Sequence, residues 1–412
     1  MIRKDGQQTM FKNVNAKNAF FIGTLCSISY LAVYFARNML SAVSPQMIET
    51  GGFTTEYIGS ASSLYFITYA IGQLVNGAIG DKVKGRYMIS FGLILAGICS
   101  FIFPHISFSL TAAKVVYGLT GFFLAMIYGP MTKIVAENTE PVYAVRCSLG
   151  YTFASFFGSP LAGAAAVILA WDGVFTLGSI ILLVMGAFCF AMFGKFEKKG
   201  IVQYNMYGLK DEKKGSIRLL IQHQIIKFTF ISVLTGIIRT TVVFWLPTYL
   251  SQYLGFSAQE SAGIFTAATL IMSFAAFIAI FVYERLKNNM DLSIFLFFCI
   301  SMCAFLLVYF VKSPAANIVC LIVAIMASNC AASIMWSRYC PGLRDTGMVS
   351  SATGFLDFMS YMAASISSTL FANAVAEIGW ENLILIWFAL MVGGVIVAAP
   401  WKKRRKGQEM SC

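Results

Sequence analysis

The 412-residue sequence predicts an all-α integral membrane protein with twelve transmembrane helices, arranged as two pseudo-symmetric six-helix bundles around a central cavity. Three observations predict this fold class. Apolar residues make up 58% of the chain and charged residues only 12%, against about 25% charged in globular proteins. Apolar runs long enough to cross a bilayer recur between short polar breaks. The second half of the chain also repeats features of the first.

Each apolar run is about 20 residues or longer, which is the length a helix needs to cross the hydrocarbon core. The polar start MIRKDGQQTMFKNVNAKN leads into a run longer than the apolar core of a signal peptide, so we expect the first helix to be retained. The predicted spans lie near residues 19–47, 56–80, 87–109, 111–135, 143–170, 173–194, 227–253, 258–283, 291–311, 315–338, 347–376 and 381–401.

The distribution of Lys and Arg predicts the orientation of the helices. Most of the 30 basic residues lie in the N-terminal tail, in alternate loops and in the C-terminal KKRRK. With twelve spans these segments share one side of the membrane, which the positive-inside rule assigns to the cytoplasm. We therefore expect both termini in the cytoplasm and, because the external loops are short, a bacterial inner (plasma) membrane. The net charge of +12 then reflects topology, and we expect no nucleic-acid partner.

A repeat with an offset of about 203 residues relates the two halves of the chain. Arg37 and Arg239 lie inside apolar runs, and each stands eight residues before a proline, Pro45 and Pro247. The loop GDKVKGR of the first half likewise corresponds to YERLKNN in the second half. Such a repeat is typical of two helical bundles in the same orientation. The predicted domains are an N-terminal six-helix bundle over 1–194, a cytoplasmic linker over 195–226, and a C-terminal six-helix bundle with a basic tail over 227–412.

The two intramembrane arginines are the strongest indication of function. Inserting a cation at the bilayer centre costs about 3 kcal/mol on insertion scales, so such a residue needs a partner or a role. Because Arg37 and Arg239 hold equivalent positions, we expect them to converge on one anion through paired, charge-assisted hydrogen bonds. The alternative is a structural role, in which each pairs with a buried acid or caps backbone carbonyls.

Polar faces on the first two spans extend this candidate site. Tyr30 and Tyr34 share one helical face with Arg37, and Tyr69 and Gln73 share a face of the second span. A polar face on a spanning helix points towards the bundle interior. Alternatively, the tyrosines are packing residues with satisfied hydroxyls, and Gln73 bridges two helices.

Asp357 is the only acid deep within a predicted span, and Tyr361 lies one helical turn later. Three roles are open for this carboxylate. It balances the charge of the arginines in the empty state, it accepts a coupling proton, or it contacts hydroxyls or an amine of the substrate. We favour charge balance.

Charged residues at the predicted cytoplasmic helix ends are candidates for gating. Ion pairs there would hold the two halves together in the outward-facing state and separate as the halves rock. The alternative is that these residues only fix topology. The candidates are Asp81, Lys82, Arg86, Glu284 and Arg285.

Over essentially its whole length the chain resembles the major facilitator superfamily. GAIGDKVKGR is similar to that superfamily's G-x-x-x-D-[RK] loop motif, except that the next glycine follows Asp81 by four positions instead of three. That spacing, the Y-x-x-R pattern before Pro45 and R-x-x-x-x-x-W-x-P-T-Y-L from Arg239 resemble the organophosphate/phosphate antiporters of the glycerol-3-phosphate and hexose-phosphate type. Vesicular and lysosomal anion transporters also carry arginines in these two helices. The resemblance implies transport by alternating access, and it adds Tyr128 to the tyrosines that line the site.

The departures from that pattern bear on the substrate. Gln73 stands where the glycerol-3-phosphate type has a lysine and Ala154 where it has a histidine, while Asp357 adds an acid. The cavity is thus less positive than a dianion site would prefer. We expect a secondary active transporter of a small organic anion, with a phosphorylated sugar or polyol as first choice and either phosphate as counter-substrate or a coupling proton. The alternatives are a symporter of a carboxylate such as a hexuronate, and a transporter-like membrane sensor of a sugar phosphate.

Other functions have no support in the sequence. It contains no phosphate-cradling glycine loop, no His/Cys cluster with metal-ligand spacing and no nucleophile elbow. The ten cysteines form no CxxC pair and suit helix packing. We therefore expect no enzyme activity, no cofactor and no metal site, in a monomer embedded in the lipid bilayer.

Overall fold

The computed structural model describes residues 3–80, 83–204, 217–340, 343 and 349–400, with most side chains from residue 16 onward. Every regular element within these ranges is helical. A six-residue helix, Ile217–Gln222, is here named the linker helix. The twelve long helices are α1 (Arg3–Glu49), α2 (Thr55–Gly80), α3 (Gly85–His105), α4 (Leu110–Asn138), α5 (Pro141–Ile168), α6 (Trp171–Lys198), α7 (Ile225–Gln252), α8 (Ala258–Arg285), α9 (Met290–Phe310), α10 (Pro314–Tyr339), α11 (349–378) and α12 (380–398).

Ten helical segments in the described ranges are long and apolar enough to cross a membrane. One of them unites α11 and α12, because the helical stretch Val349–Ala398 is interrupted only at Gly379, where φ is 75° and ψ is 172°. This left-handed backbone suits glycine, and the break lies where the sequence predicts a loop. Only the Ala154–Ile168 part of α5 counts as a shorter apolar helix. The predicted all-α membrane fold with twelve helices is confirmed.

The largest difference from the predicted spans is at the N-terminus. Hydropathy places the first span at 19–47, whereas α1 runs over Arg3–Glu49. Hydropathy detects only the membrane-embedded part of a helix, and a helix continues into the polar region until its backbone is broken. The other bounds differ from the predicted ones by a few residues, as is usual at helix ends.

Contacts between the helices group them into halves. In the first half α1 packs on α5 and α6, α2 packs on α4, and α3 packs on α4 and α6; in the second half α9 packs on α10, and α7 packs on α11. The halves meet where α1 contacts α7, α2 contacts α11, and α5 contacts α8. We call the membrane side that carries Lys84, Arg86, Arg285 and the linker helix the basic end, and the other side the opposite end.

The contact between α1 and α7 forms beside the two prolines of the repeat. Pro45 has no N–H to donate to the carbonyl of Ser41 one turn earlier, and the Ser44 hydroxyl donates to that carbonyl instead, at 2.9 Å. The Ser44 hydroxyl also lies 2.7 Å from that of Thr248, which follows Pro247. The sequence repeat therefore brings polar groups of the two halves together.

Serine hydroxyls also join α2 to α11 at the opposite end. Ser62 is hydrogen-bonded to Ser368, and Ser63 Oγ lies 3.0 Å from Ser365 Oγ. Ser365 Oγ in addition donates to the Ser63 carbonyl at 2.8 Å. Small residues with hydroxyl groups allow two membrane helices to approach closely and hydrogen-bond across the contact.

These contacts define the conformation of the protein. The last part of α7, Val243–Gln252, packs on α1 and α8, whereas its first part, Ile225–Gly236, packs mainly on helices of its own half. The hydrogen bonds from Ser251 to Glu49, at 2.7 Å, and from Gln252 to Thr55, at 3.0 Å, likewise lie at the opposite end. The two halves are thus closed against each other at the opposite end.

We expect Gly59→Leu to open this closure. A Cβ at Gly59 would collide with Ala372 and lie 3.0 Å from the Ser368 carbonyl oxygen and 3.2 Å from Trp245. A leucine side chain would therefore wedge α2 away from α11. In a protein with a cysteine introduced at Ser44, a buried position, Gly59→Leu should increase labelling by a membrane-impermeant maleimide several-fold. Gly393→Leu is the matched control, because no atom lies within 4 Å of a Cβ there. Equal labelling of both variants would contradict this account of the closure.

Candidate functional site

Arg37 lies near the middle of α1, with its guanidinium group surrounded by aromatic rings. Its Nη1 donates a hydrogen bond to Tyr361 Oη at 2.5 Å. Its Cζ lies 5.3 Å from the ring centroid of Tyr34, 5.5 Å from that of Tyr69 and 4.8 Å from that of Tyr361. Cation–π interactions of this kind compensate part of the cost of taking the charge out of water. Because Tyr361 belongs to α11, the hydrogen bond joins the two halves at the membrane centre.

The remaining predicted tyrosines continue this aromatic cluster. The Tyr30 ring centroid lies 5.0 Å from that of Tyr34 and 5.5 Å from that of Tyr128. The Tyr69 ring packs against Tyr361 at 4.9 Å. All five predicted tyrosines are thus connected to Arg37, either directly or through one another.

Sequence reasoning missed one member of the cluster. The Tyr151 ring on α5 lies 6.0 Å from that of Tyr30 and 6.2 Å from that of Tyr128. Ser155 and Ser159 follow Tyr151 at intervals of four residues, and this polar face of the fifth span is a signal that sequence reasoning did not use. A second signal was its position three residues before Ala154, which the family resemblance places in the site.

Arg239 has different surroundings from Arg37. It lies in a π-helical segment of α7, Ile237–Val242, in which all five residues other than the arginine are β-branched. β-branched residues are poor α-helix formers, and widened π turns occur frequently at functional sites. The side chain is partly exposed, and within the described residues it makes no hydrogen bond, ion pair or ring contact. Its donors are therefore available to a ligand.

Asp357 interacts electrostatically with both arginines. Its carboxylate interacts most strongly with Arg239 and less strongly with Arg37. Neither interaction is a direct ion pair, since no nitrogen of either arginine lies within 4.0 Å of the carboxylate in the described part of the chain. Two guanidinium groups and one carboxylate leave the site with a net positive charge. An anion that replaces this indirect pairing with direct hydrogen bonds would bind favourably.

The other predicted site residues lie outside the aromatic cluster. Gln73 lies on α2 one turn after Tyr69 and is partly exposed, with no hydrogen bond to any described residue. Asp81 and Lys82 lie outside the described residues. Arg86 is 3.8 Å from Glu197 of its own half, and its backbone N–H donates to Tyr204 Oη at 3.2 Å.

The gating candidates of the second half lie at the end of α8. The Arg285 guanidinium is 5.2 Å from the Phe281 ring, and Glu284 makes no ion pair within the described ranges. Glu197 and Lys84, which lie 3.8 Å apart, were not predicted as part of this region. None of these described residues contacts the other half, which agrees with closure at the opposite end only. The described residues also contain no group of three His, Cys, Asp or Glu side chains that could hold a metal ion.

We expect Tyr361→Phe to lower substrate affinity with little effect on thermal stability. The phenylalanine ring would keep its packing on Tyr69, but Arg37 would lose the acceptor that holds its guanidinium. Losing one such hydrogen bond should weaken binding about fivefold. Titration of ligand-induced fluorescence or stability changes measures this effect. Tyr57→Phe, where the ring packs on Phe53 at the opposite end of the protein, is the control and should leave affinity unchanged. Equal affinities of Tyr361→Phe and the wild type would exclude a role for the hydroxyl.

Comparison with known proteins places the fold and the site in context. A family model described as Major Facilitator Superfamily matches residues 26–368. The membrane sensor protein UhpC of Escherichia coli is 21% identical over 403 residues, which cover 87% of this chain and 86% of that protein. The glycerol-3-phosphate transporter of Bacillus subtilis is 24% identical over 264 residues, which cover 58% of this chain and 59% of that protein. A probable hexose phosphate transport protein of Chlamydia trachomatis is 26% identical over 163 residues, which cover 39% of this chain and 36% of that protein.

Solved structures share the fold. A D-xylose-proton symporter aligns with a TM-score of 0.69 at 13% identity, covering 92% of this chain and 96% of that chain. A bacterial homologue of the human lysosomal transporter Spinster, in an inward-facing and occupied conformation, aligns with a TM-score of 0.69 at 14% identity, covering 92% of this chain and 95% of that one. The predicted resemblance to transporters of phosphate esters is confirmed, and the curated relatives are named as transporters or a sensor, not as enzymes. Since the family model matches most of the sequence, the chain belongs to the Major Facilitator Superfamily.

Proposed function

We propose that the protein is a secondary active transporter of a small organic anion, with a phosphorylated sugar or polyol as the favoured substrate. The observation that carries this proposal is the pair of intramembrane arginines, one from each half, which both interact electrostatically with the carboxylate of Asp357. Guanidinium groups form paired hydrogen bonds with phosphoryl and carboxylate oxygens. The curated relatives named as phosphate-ester transporters support the choice of substrate class.

The unequal surroundings of the arginines suggest an order of binding. Arg239 has free donors and receives the anion first. Arg37 already donates to Tyr361, but its other N–H groups remain available to the same anion. An anion held by both arginines would draw α1 and α7 together around the site. Asp357 limits the uncompensated positive charge when no substrate is bound.

The orientation completes the proposed transport cycle. With the basic end in the cytoplasm of a bacterial inner membrane, the described conformation is inward-facing. Closure of the basic end would give the outward-facing state, with Asp81, Lys82, Arg86, Glu284 and Arg285 as the gating groups. The unit that moves is a monomer of two bundles, 1–194 and 227–412, joined by the linker 195–226. Phosphate as counter-substrate or a coupling proton supplies the driving force.

Two alternatives rest on specific observations. Gln73 and Ala154 replace the supporting cations of the glycerol-3-phosphate type, which favours a monoanion such as a hexuronate. The relative that matches the largest part of the chain among those described above is a membrane sensor, which favours binding of a sugar phosphate without transport.

A thermal-shift series separates the substrate classes. A ligand that binds only the folded protein stabilises it in proportion to the logarithm of its concentration relative to Kd. We expect glucose 6-phosphate or glycerol 3-phosphate to raise the Tm more than glucuronate at equal concentration, and Arg239→Lys to remove the shift. A larger shift with glucuronate would favour the carboxylate alternative. The absence of a shift with every anion would contradict the proposed class of substrate.

A further inference from the structure

The Asp357 carboxylate lies near the arginine pair without a hydrogen-bond partner of its own. Within the described ranges it accepts no hydrogen bond, although both Arg239 and Arg37 interact with it electrostatically. The side chain is partly exposed and its oxygens are not buried. A ligand in the site can therefore reach this carboxylate.

The position of Asp357 on α11 places it on the open side of the site. Tyr361, which accepts the hydrogen bond from Arg37, follows Asp357 by four residues on the same helical face. Four residues correspond to about 6 Å along the helix axis, and α11 runs from the basic end towards the opposite end. Because the halves are closed at the opposite end, an anion that enters from the basic end meets Asp357 as it reaches Arg37.

An ionised carboxylate disfavours most oxyanions at this position. It can only accept hydrogen bonds, and the same holds for a fully deprotonated phosphoryl, sulfate or carboxylate group. Two such groups repel each other, and they do so more strongly in a partly buried site than in water. A phosphate ester avoids this repulsion when one of its oxygens is protonated. That P–O–H group donates to the carboxylate while the other oxygens accept from guanidinium groups.

The charges of the site match such a monoanion. Arg37 and Arg239 contribute two positive charges and Asp357 one negative charge, so one further negative charge neutralises the site. Gln73 and Ala154 replace the supporting cations of the glycerol-3-phosphate type. A dianion would therefore leave an excess negative charge within the membrane, which is unfavourable.

We propose that Asp357 selects phosphate esters in their monoanionic form by accepting a hydrogen bond from the protonated phosphoryl oxygen. This role rests on the proposed function, in which Arg37 and Arg239 hold the same phosphoryl group. A sulfate ester or a carboxylate carries the same charge but no such proton near neutral pH, so the site binds it weakly. Asp357 is thus a specificity-determining residue of the transport site.

The other titratable groups around Asp357 do not change their charge near neutral pH. Tyrosine hydroxyls and a buried thiol stay neutral between about pH 6 and pH 8, and arginine stays charged. The phosphate ester itself titrates there, with a second pKa of about 6. The groups around the carboxylate, from α1, α2, α4, α7, α11 and the residue after α10, are Tyr34, Arg37, Tyr69, Tyr128, Arg239, Tyr361 and Cys340.

Calorimetric titration of the purified full-length protein with glucose 6-phosphate and glucose 6-sulfate tests this role. At about pH 6 the wild type should bind the phosphate ester about 10- to 100-fold more tightly than the sulfate ester, which lacks the donor. Its affinity for the phosphate ester should fall about 50-fold between about pH 6 and pH 8, because the monoanion is depleted. Its weak affinity for the sulfate ester should stay constant over the same range.

Asp357→Asn should change the selectivity in a defined direction. The neutral amide no longer repels an unprotonated oxyanion, so binding of the sulfate ester should tighten about tenfold. The fall in phosphate-ester affinity at high pH should disappear for the same reason. Asp172→Asn, which removes an exposed acid from the first turn of α6 at the opposite end, is the matched control and should behave as wild type.

Three results would overturn the role of Asp357 while leaving the arginine pair intact. Equal affinities of the wild type for the two esters would show that the proton is not recognised. A preference that Asp357→Asn leaves unchanged would assign the selection to another group. A sulfate-ester affinity that rises at low pH in parallel with that of the phosphate ester would place the proton on Asp357 itself. If the wild type binds neither ester, the proposed function is contradicted and this role with it.

Discussion

Arg239→Lys should lower substrate affinity about 10- to 100-fold, although the substitution preserves the charge. A lysine ammonium cannot form the two parallel hydrogen bonds that a guanidinium offers to one phosphoryl or carboxylate group. Arg239 makes no hydrogen bond, ion pair or ring contact with another described side chain, so the donors of its guanidinium group are all available for this geometry. Equilibrium binding and initial uptake rates measure the loss.

Arg37→Lys should lower substrate affinity as much as Arg239→Lys does, and for an additional reason. It would also remove the hydrogen bond to Tyr361 and weaken the cation–π contacts with Tyr34 and Tyr69. Arg218→Lys, in the exposed surface of the linker helix, is the matched control and should behave as wild type. Near-normal affinity and uptake in either intramembrane lysine variant would defeat the proposal that both arginines hold one anion.

Asp357→Asn should tighten anion binding and slow turnover. Removing the carboxylate adds one net positive charge to the site, and the incoming anion no longer competes with an internal electrostatic partner of Arg239. Tighter binding in one state raises the barrier to release. An affinity increase of about tenfold would correspond to roughly 1.4 kcal/mol. Equilibrium binding and counterflow rates are the two measurements needed.

A different result on the same variant would identify a coupling residue. If Asp357 carries the proton, Asp357→Asn should abolish pH-driven accumulation but spare exchange of internal for external substrate, because exchange needs no net proton movement. An Asp357→Asn protein that matches the wild type in affinity, exchange and pH-driven uptake would leave the residue with only a structural role.

The sequence predicts most of the fold and the chemical type of the site because membranes impose strict rules on composition. Arg37, Arg239 and Asp357 stand out because ionised groups are costly in apolar spans. A charged residue within an apolar span can be recognised from its neighbours in the sequence, so a single sequence is enough to identify it.

Features that depend on packing were not predictable from the sequence. The repeat implies equivalent arginines, yet Arg37 lies in an aromatic cage and Arg239 in an open π-helical turn. That difference depends on which side chains of other helices reach each guanidinium. The same applies to the ring contacts of Tyr151 and to the pairing of Arg86 with Glu197, since both join helices that are far apart in sequence.

Counterflow in proteoliposomes tests the central claim most directly. Vesicles containing the purified protein are loaded with unlabelled glucose 6-phosphate and diluted into labelled glucose 6-phosphate, so that exchange is seen whatever the coupling ion. The account predicts a transient accumulation of label by the wild type that Arg239→Lys and Arg37→Lys abolish and Arg218→Lys retains. Saturable binding of glucose 6-phosphate without any counterflow would contradict transport and identify the protein as a sensor.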